Sequence, residues 1–291
     1  MRRAEGFCRG IHFATPERLH TLGSVSVQFT ILGSGSGGNC AYLEAGETRL
    51  LIDAGFSARQ IRERLAGIGR APEGLTGILV THEHGDHITG LGALCGKTGT
   101  RIYANRFTRE AIERQFPAAR LEFAVFETGA AFPLGEVEVQ TFSVPHDAMD
   151  PVGFMLRTAG GNIGFLTDLG HATKLILERV KAANVLVLEA NHDLKLLQDD
   201  TKRPWSTKQR ILSRHGHLSN EAAADVAAQL ANADLHRIYL GHLSRDCNRP
   251  ALAHKAVADR LRSIGANHIV VDNTSQETPN PTLPLTGFRL L

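Results

Sequence analysis

The sequence predicts an α/β domain in which two β-sheets pack face to face with helices outside them. Three observations carry this. Apolar runs of strand length fall into hairpins in both halves of the chain, helical patterns are interleaved with them, and neither a short-period repeat nor a low-complexity linker divides the chain. With 291 residues, 42% of them hydrophobic and 21% charged, the chain can bury a large core as one unit.

In order, the first strand signal is VSVQFTIL at 25–32. The loop GSGSGGN follows, then two apolar runs at 40–44 and 49–53 that read as a hairpin. Ser57 is positioned to cap a helix reaching about residue 68, with Gly69 past its end. GILVT at 77–81 reads as a buried strand. The second half repeats the grammar, with strands at 136–142, 153–156, 163–166 and 185–188 and a helix over about 172–182. A helix at 220–230, a strand at 237–240, a helix at 251–263 and a strand at 268–271 complete the set. Residues 24–291 are expected to form a single domain whose proline-rich tail is irregular after about 273. Residues 1–23 lack both periodicity and an apolar secretory segment and are expected to be a loose extension.

Bulk properties exclude some classes. No window approaches 18 apolar residues, which argues against a transmembrane helix and a membrane partner. The four cysteines, Cys8, Cys40, Cys95 and Cys247, are widely spaced and read as free thiols of a reducing, cytoplasmic compartment. A net charge of +2 is too near zero to imply a polyanionic partner by itself.

The chemistry concentrates in His82-Glu83-His84-Gly85-Asp86-His87, directly after an apolar strand. Imidazoles with a carboxylate suit zinc, manganese or iron. His82 and His84 alternate by two, so an extended loop points both rings the same way. Asp86 and His87, where the chain turns, can face a second ion. The competing interpretation is a histidine-rich surface loop. Downstream partners oppose it: His146, Asp168 and His242 each follow a strand. Taken singly, each is more often a loop or core residue; together, after such a cluster, they are candidate ligands. Gly33, Gly35 and Gly38 spell a dinucleotide-binding fingerprint, with Asp53 about 20 residues on, but that motif requires a helix where this chain has a hairpin.

These motifs, from Asp53 in LLIDAG through the cluster to His146, Asp168 and His242, resemble the metallo-β-lactamase superfamily between about residues 25 and 272. The resemblance implies a four-layer αββα sandwich with two divalent metal ions at one edge. His82, His84 and His146 would hold one ion, Asp86, His87 and His242 the other, and Asp168 would bridge them. Asp53 would orient ligands. Asp168 stands where lactam-cleaving members usually carry cysteine, and His84 stands where the flavin-linked branch usually carries glutamate. The interval from Asp168 to His242 is too short for the domain inserted in β-CASP nucleases. LGSGSGGNCAYLE, LEANHD, KQRILSRHGHLSN and YLGHLSRDCNRP together resemble the YycJ (WalJ) group, which is associated with DNA exonuclease activity, although Gly37 and Gly85 stand where serines are expected.

The implied function is metal-dependent phosphodiester hydrolysis of nucleic acid, DNA by resemblance, with a metal-activated water as nucleophile. Residues 202–215 add Lys202, Arg203, Lys208, Arg210 and Arg214 without an acidic residue, and Trp205, which could stack on a base. A solvated helix face around one packed tryptophan is the plainer interpretation. His217 is the candidate for an additional catalytic group. Ser36, Asn39, His192, Lys208, Arg210, Ser219 and Asn220 are candidates for substrate contact, Ser219 being equally suited to a plain helix cap. A small-molecule thioesterase or lactonase would need the same metals without the basic stretch, and a non-catalytic binding protein would need neither.

Overall fold

The computed structural model describes residues 26–286, so the extension expected over residues 1–23 lies outside the described residues. The first half of the chain supplies β1 (Val27–Gly33), β2 (Cys40–Ala45), β3 (Thr48–Ile52), β4 (Gly77–Leu79), β5 (Ile102–Asn105) and β6 (Phe123–Phe126). The second half supplies β7 (Ala131–Leu134), β8 (Val137–Ser143), β9 (Val152–Thr158), β10 (Gly161–Leu166), β11 (Val185–Glu189), β12 (Arg237–Gly241) and β13 (Val270–Asn273). The first sheet runs β14-β1-β2-β3-β4-β5-β6, with β14 (Leu283–Leu285) at its edge, and the second runs β13-β12-β11-β10-β9-β8-β7. Each sheet is antiparallel on one side and parallel on the other: β3, β4, β5 and β6 run parallel in one, β10, β11, β12 and β13 in the other.

Among the described residues, nine helices connect these strands: α1 (Ala58–Gly67), α2 (Gly85–Ile88), α3 (Leu91–Thr98), α4 (Arg106–Gln115), α5 (Lys174–Val180), α6 (Leu194–Asp199), α7 (Trp205–Ile211), α8 (Asn220–Leu230) and α9 (Pro250–Ser263). Strand alternation sorts the apolar side chains into three cores. Leu50 and Ile52 of β3 meet Val185 and Val187 of β11 between the sheets. Leu51 points the other way, onto Ile61 and Leu65 of α1 and Leu94 of α3. Leu186 and Leu188 likewise face Ala223 and Ala227 of α8 and Val257 of α9. Three continuous cores make four layers, αββα, as the sequence predicts.

Local signals explain several boundaries. Ser57 caps α1 through a reciprocal box with Gln60, an arrangement that contributes about 1 kcal/mol. No helix begins at Gly38; the hairpin β2–β3 follows it, which removes the dinucleotide reading. The tail corrects one expectation. It is irregular from 274 to 282, but Leu283–Leu285 then pairs antiparallel with β1 and buries Leu285 between the sheets. The stretch from α3 to β7 carries only weak sequence signals. Its strands are only four residues long, and α4 buries just Thr108, Ala111 and Ile112, too narrow an apolar stripe to stand out among its charges.

Candidate metal centre

Strand ends build the site, at the carboxyl edge shared by both sheets, where open α/β sheets bind ligands. Beyond β3 comes Asp53, and beyond β4 come Thr81 and the histidine cluster. Asp168 lies two residues past β10, Glu189 ends β11, and His242 follows β12. His146 lies beyond β8. Asp53, Asp168 and His242 are the non-glycine residues with positive φ among those described, at 59°, 58° and 54°. Such backbone costs energy and concentrates at functional sites.

Hydrogen bonds knit the strand ends together. The backbone N–H of Ala54 donates to His87 O and that of Asn39 to Asp86 O. Gly55 lies so close to this turn that a Cβ there would stand 1.7 Å from Asp86 O. Glu83 accepts from Met149 N at 2.8 Å and ties the cluster to the loop carrying His146.

Four of the five candidate-ligand rings have their outer nitrogen committed, which aims the other. His87 Nδ1–H donates to Asp53 Oδ2 at 2.7 Å. His146 Nδ1–H donates to Gly216 O, and His242 Nδ1–H to Glu189 Oε1 at 2.8 Å. Thr81, whose hydroxyl donates to Asp53, lies 3.0 Å from His82 Nδ1. The remaining nitrogens converge in two groups. His82 Nε2 and His146 Nε2 stand 3.1 and 3.3 Å from His84 Nδ1. His87 Nε2 and His242 Nε2 stand 3.5 and 3.2 Å from Asp86 Oδ2. Between them sits Asp168, with Oδ2 3.2 Å from His87 Nε2 and Oδ1 3.8 Å from His146 Nε2. Although Asp168 is buried, its Oδ2 accepts no hydrogen bond. Lone pairs facing lone pairs, with an orphaned buried carboxylate oxygen between, are costly unless a cation lies among them. The donor set therefore fits a pair of divalent ions, and both groups are close enough to hold one.

Electrostatics agree. Burial, reinforced by His87, pushes His82 well below the usual imidazole range. At His87 and His242 burial acts the same way, but Asp168 and the adjacent carboxylates overcome it and lift both rings well above that range. Burial would raise Asp168 too, yet His242 and His87 hold it far below the carboxylate range. The pocket favours positive charge against its carboxylates, which is what metal ions supply.

Glu189 is the group that sequence reasoning missed. It is fully buried at the end of an apolar strand, VLVLE, and that isolated charge was the available signal. Its Oε1 accepts from His242 Nδ1 and His217 Nδ1, each at 2.8 Å, and its Oε2 from the backbone N–H groups of Leu169 and Leu218. Burial would raise it, but His217 and His242 hold it down to about 2. Both oxygens are occupied, so Glu189 orients two rings rather than facing the cleft.

A cavity of about 230 Å³ opens over the donors, lined by Ser36, His84, Asp86, Asp168, Arg210, His217 and their neighbours. Ser36, Arg210 and His217 are therefore on the wall of this cavity. Five other expectations of substrate contact are corrected. Asn39 is buried and turns its amide onto Asp86 and its carbonyl oxygen onto Ser34 and Gly35. Lys208 is buried, its ammonium donating to Gln198 O at 2.7 Å. Ser219 caps α8, and Asn220 exchanges two amide hydrogen bonds with Asn248. His192 is buried outside the cavity lining, and burial holds it down to about 4. Trp205 does not share the cleft face: Thr207, Arg210 and Ile211 of α7 line the cavity, and helix geometry puts position 205 roughly 160° around the axis from them. Cys40, Cys95 and Cys247 are buried free thiols, whereas Cys8 lies outside the described residues.

An αββα sandwich carrying a histidine–carboxylate centre on one edge defines a metal-dependent hydrolase. Residues 48–243 match the family model described as "Beta-lactamase superfamily domain". The exodeoxyribonuclease WalJ of Streptococcus pneumoniae serotype 2 is 37% identical over 267 residues, covering 89% of this chain and 98% of that protein. The exodeoxyribonuclease YycJ of Bacillus anthracis is 36% identical over 242 residues, covering 83% and 91%. Among solved structures, the metallo-β-lactamase fold protein YhfI of Bacillus subtilis superposes with a TM-score of 0.68 at 15% identity, covering 89% of this chain and 99% of that one, which shows the shared fold. The chain belongs to the β-lactamase superfamily, in the family of the WalJ and YycJ proteins. No helix among the described residues is long and apolar enough to cross a membrane.

Proposed function

We propose that this protein is a dinuclear-metal phosphodiesterase that degrades DNA. The observation that carries the reading is the pair of convergent donor groups with Asp168 between them, opening onto a cavity lined by Arg210 and His217. His82, His84 and His146 would hold one ion, Asp86, His87 and His242 the other, and Asp168 both. The nitrogen and oxygen donors suit zinc, manganese or iron. When bound, such ions supply Lewis acidity toward a phosphoryl oxygen and activate water.

The chain's own groups do the rest. Arg210 exchanges its Asp147 partner for a phosphate oxygen and fixes the diester in the cavity. Ser36 donates a hydrogen bond at the mouth. Burial would lower His217, but Glu189 raises it above the ordinary imidazole value, which favours the protonated ring. With Nδ1–H held by Glu189, Nε2–H donates its proton to the leaving oxygen. Asp53, through His87, and Glu189, through His242, are positioning residues. Residues 24–291 act as one domain, in keeping with three continuous cores, and buried free thiols suit a reducing cytoplasm.

The test is degradation of a 5′-phosphorylated linear duplex DNA by metal-loaded protein beside His84→Ala. Degradation by the wild type alone is expected. Intact DNA with two ions bound per chain would overturn the DNA assignment and direct attention to RNA, then to small esters and thioesters.

A further inference from the structure

Most cations of the basic stretch at 202–214 are paired or buried. Arg203 pairs with Asp200 and Asp246 at 2.9 Å each, Lys202 lies 3.7 Å from Asp246, Arg210 pairs with Asp147, and Lys208 is buried against Gln198 O. The wall formed by residues 243–250 differs. There a second cavity, of about 310 Å³, lies between the loop after β12 and the loop after β13. Its size is within the range of small-molecule sites. Ser244 lines both this cavity and the one over the donors. Ser34, on its wall, accepts the backbone N–H of His242 at 2.8 Å, so the outer cavity begins one hydrogen bond from a candidate ligand.

Two arginines line it. The side chain of Arg245 is 68% exposed, and its carboxylate neighbour, Glu277, is 3.9 Å away and itself exposed. Arg249 donates through Nη1 to the carbonyls of Arg245, Asp246 and Asn248, which holds its guanidinium at the cavity without neutralising its charge. Gln276, on the same wall, is anchored by accepting from Gly37 N and by Arg64 donating to its carbonyl. A guanidinium with only a loose exposed partner, beside a preformed cavity that shares a wall with the catalytic one, suits a phosphate of a substrate that extends past the metals.

We propose that the outer cavity is a nucleotide subsite, which takes the nucleotide adjacent to the cleaved diester and pairs its phosphate with Arg245 in place of Glu277. This rests on the phosphodiesterase reading above. The substrate would leave the metals over residues 243–250 and pair with Arg245 rather than with the arginines of the basic stretch, whose partners are aspartates.

The experiment compares metal-loaded wild type, Arg245→Glu and Arg245→Lys on two substrates. Bis(4-nitrophenyl) phosphate is small enough to use the metal cavity alone, whereas a ten-nucleotide DNA strand reaches both. Arg245→Glu is expected to raise KM for the strand about tenfold, to lower the salt dependence by about one phosphate contact, and to leave kcat within about twofold. Turnover of the small diester should not change, and Arg245→Lys should recover most of the strand affinity. An unchanged strand KM in Arg245→Glu overturns the subsite while the nuclease reading stands. A KM raised equally on both substrates also overturns it, since Arg245 would then serve the metal cavity. If the wild type cleaves the small diester but no DNA or RNA strand, the nuclease reading fails and the subsite with it.

Discussion

The two sheets reach the same edge of the molecule by different routes. From the first sheet, four candidate ligands arrive in one loop, His82 to His87, beyond a single short strand. From the second, His146, Asp168 and His242 arrive one at a time from three strand ends, with Glu189 behind them on a fourth. One half makes its site by local sequence, and the other by topology, since parallel β10, β11 and β12 put residues 168, 189 and 242 side by side. Each half also has its own orienting carboxylate. Asp53 serves His87 and Thr81, whereas Glu189 serves two rings and two backbone amides. The local half can therefore lose one contact and keep its loop, while the topological half depends on groups that fix several strand ends at once.

The largest effect should come from the residue that joins the halves. Asp168→Ala is expected to lower occupancy of both ions and to reduce hydrolysis by more than the roughly 10–100-fold that outer positioning groups cost. His84→Ala should deplete one ion. Counting metal per chain by mass spectrometry decides this: equal partial loss in the two variants would remove Asp168 from its joining role. Next come the positioning carboxylates. Asp53→Asn and Glu189→Gln should each lose about 10–100-fold in activity, with Glu189→Gln the worse. An amide at 189 would turn a donor toward the N–H groups of Leu169 and Leu218, or toward the two rings, at a stability cost of about 1–3 kcal/mol. A larger loss at Asp53 would reverse the comparison.

A steric pair sharpens it further. A Cβ at Gly55 would strike Asp86 O, and one at Gly170 would lie 2.3 Å from Arg214 O. Both glycine-to-alanine variants should lose about 1–3 kcal/mol, because backbone must move. Only Gly55→Ala should also lower metal content, since the chain it displaces carries ligands. Thermal melting with metal counting checks this, and equal metal loss in both would show that the 213–214 turn supports the donors too.

The same contrast explains what was legible. The loop cluster announces itself because four donors lie within six residues. His146, Asp168 and His242 were recognisable as strand-end residues and through the family resemblance. Glu189 was not, because its role exists only once three strands lie side by side. Substrate contacts fared worst. Lys208, Asn220 and His192 have the composition of binding residues, but the structure buries all three, and burial depends on how α6, α7 and α8 pack. Residue type carries charge and not direction, so the basic stretch at 202–214 gave no sign that aspartates at 147, 200 and 246 would neutralise it.

That neutralisation gives the smallest prediction. The hydrogen bond from Arg203, with help from the backbone of Lys202, holds Asp200 down to about 2, below its ordinary value of 3.8. A carboxylate lowered on folding contributes stability that is fully present above its unfolded value and lost as pH falls toward its folded one. The contribution of Asp200 should therefore be constant from neutral pH down to about 4 and fade between about 4 and 2. Asp200→Asn is expected to melt lower than wild type at pH 7, by on the order of 1 °C as befits a partly covered surface ion pair in a chain of this size. The two melting curves should converge near pH 2. A gap that persists there would mean that Asp200 acts through its backbone turn rather than its charge, and that Arg203 has no charge partner to lose in acid beyond Asp246.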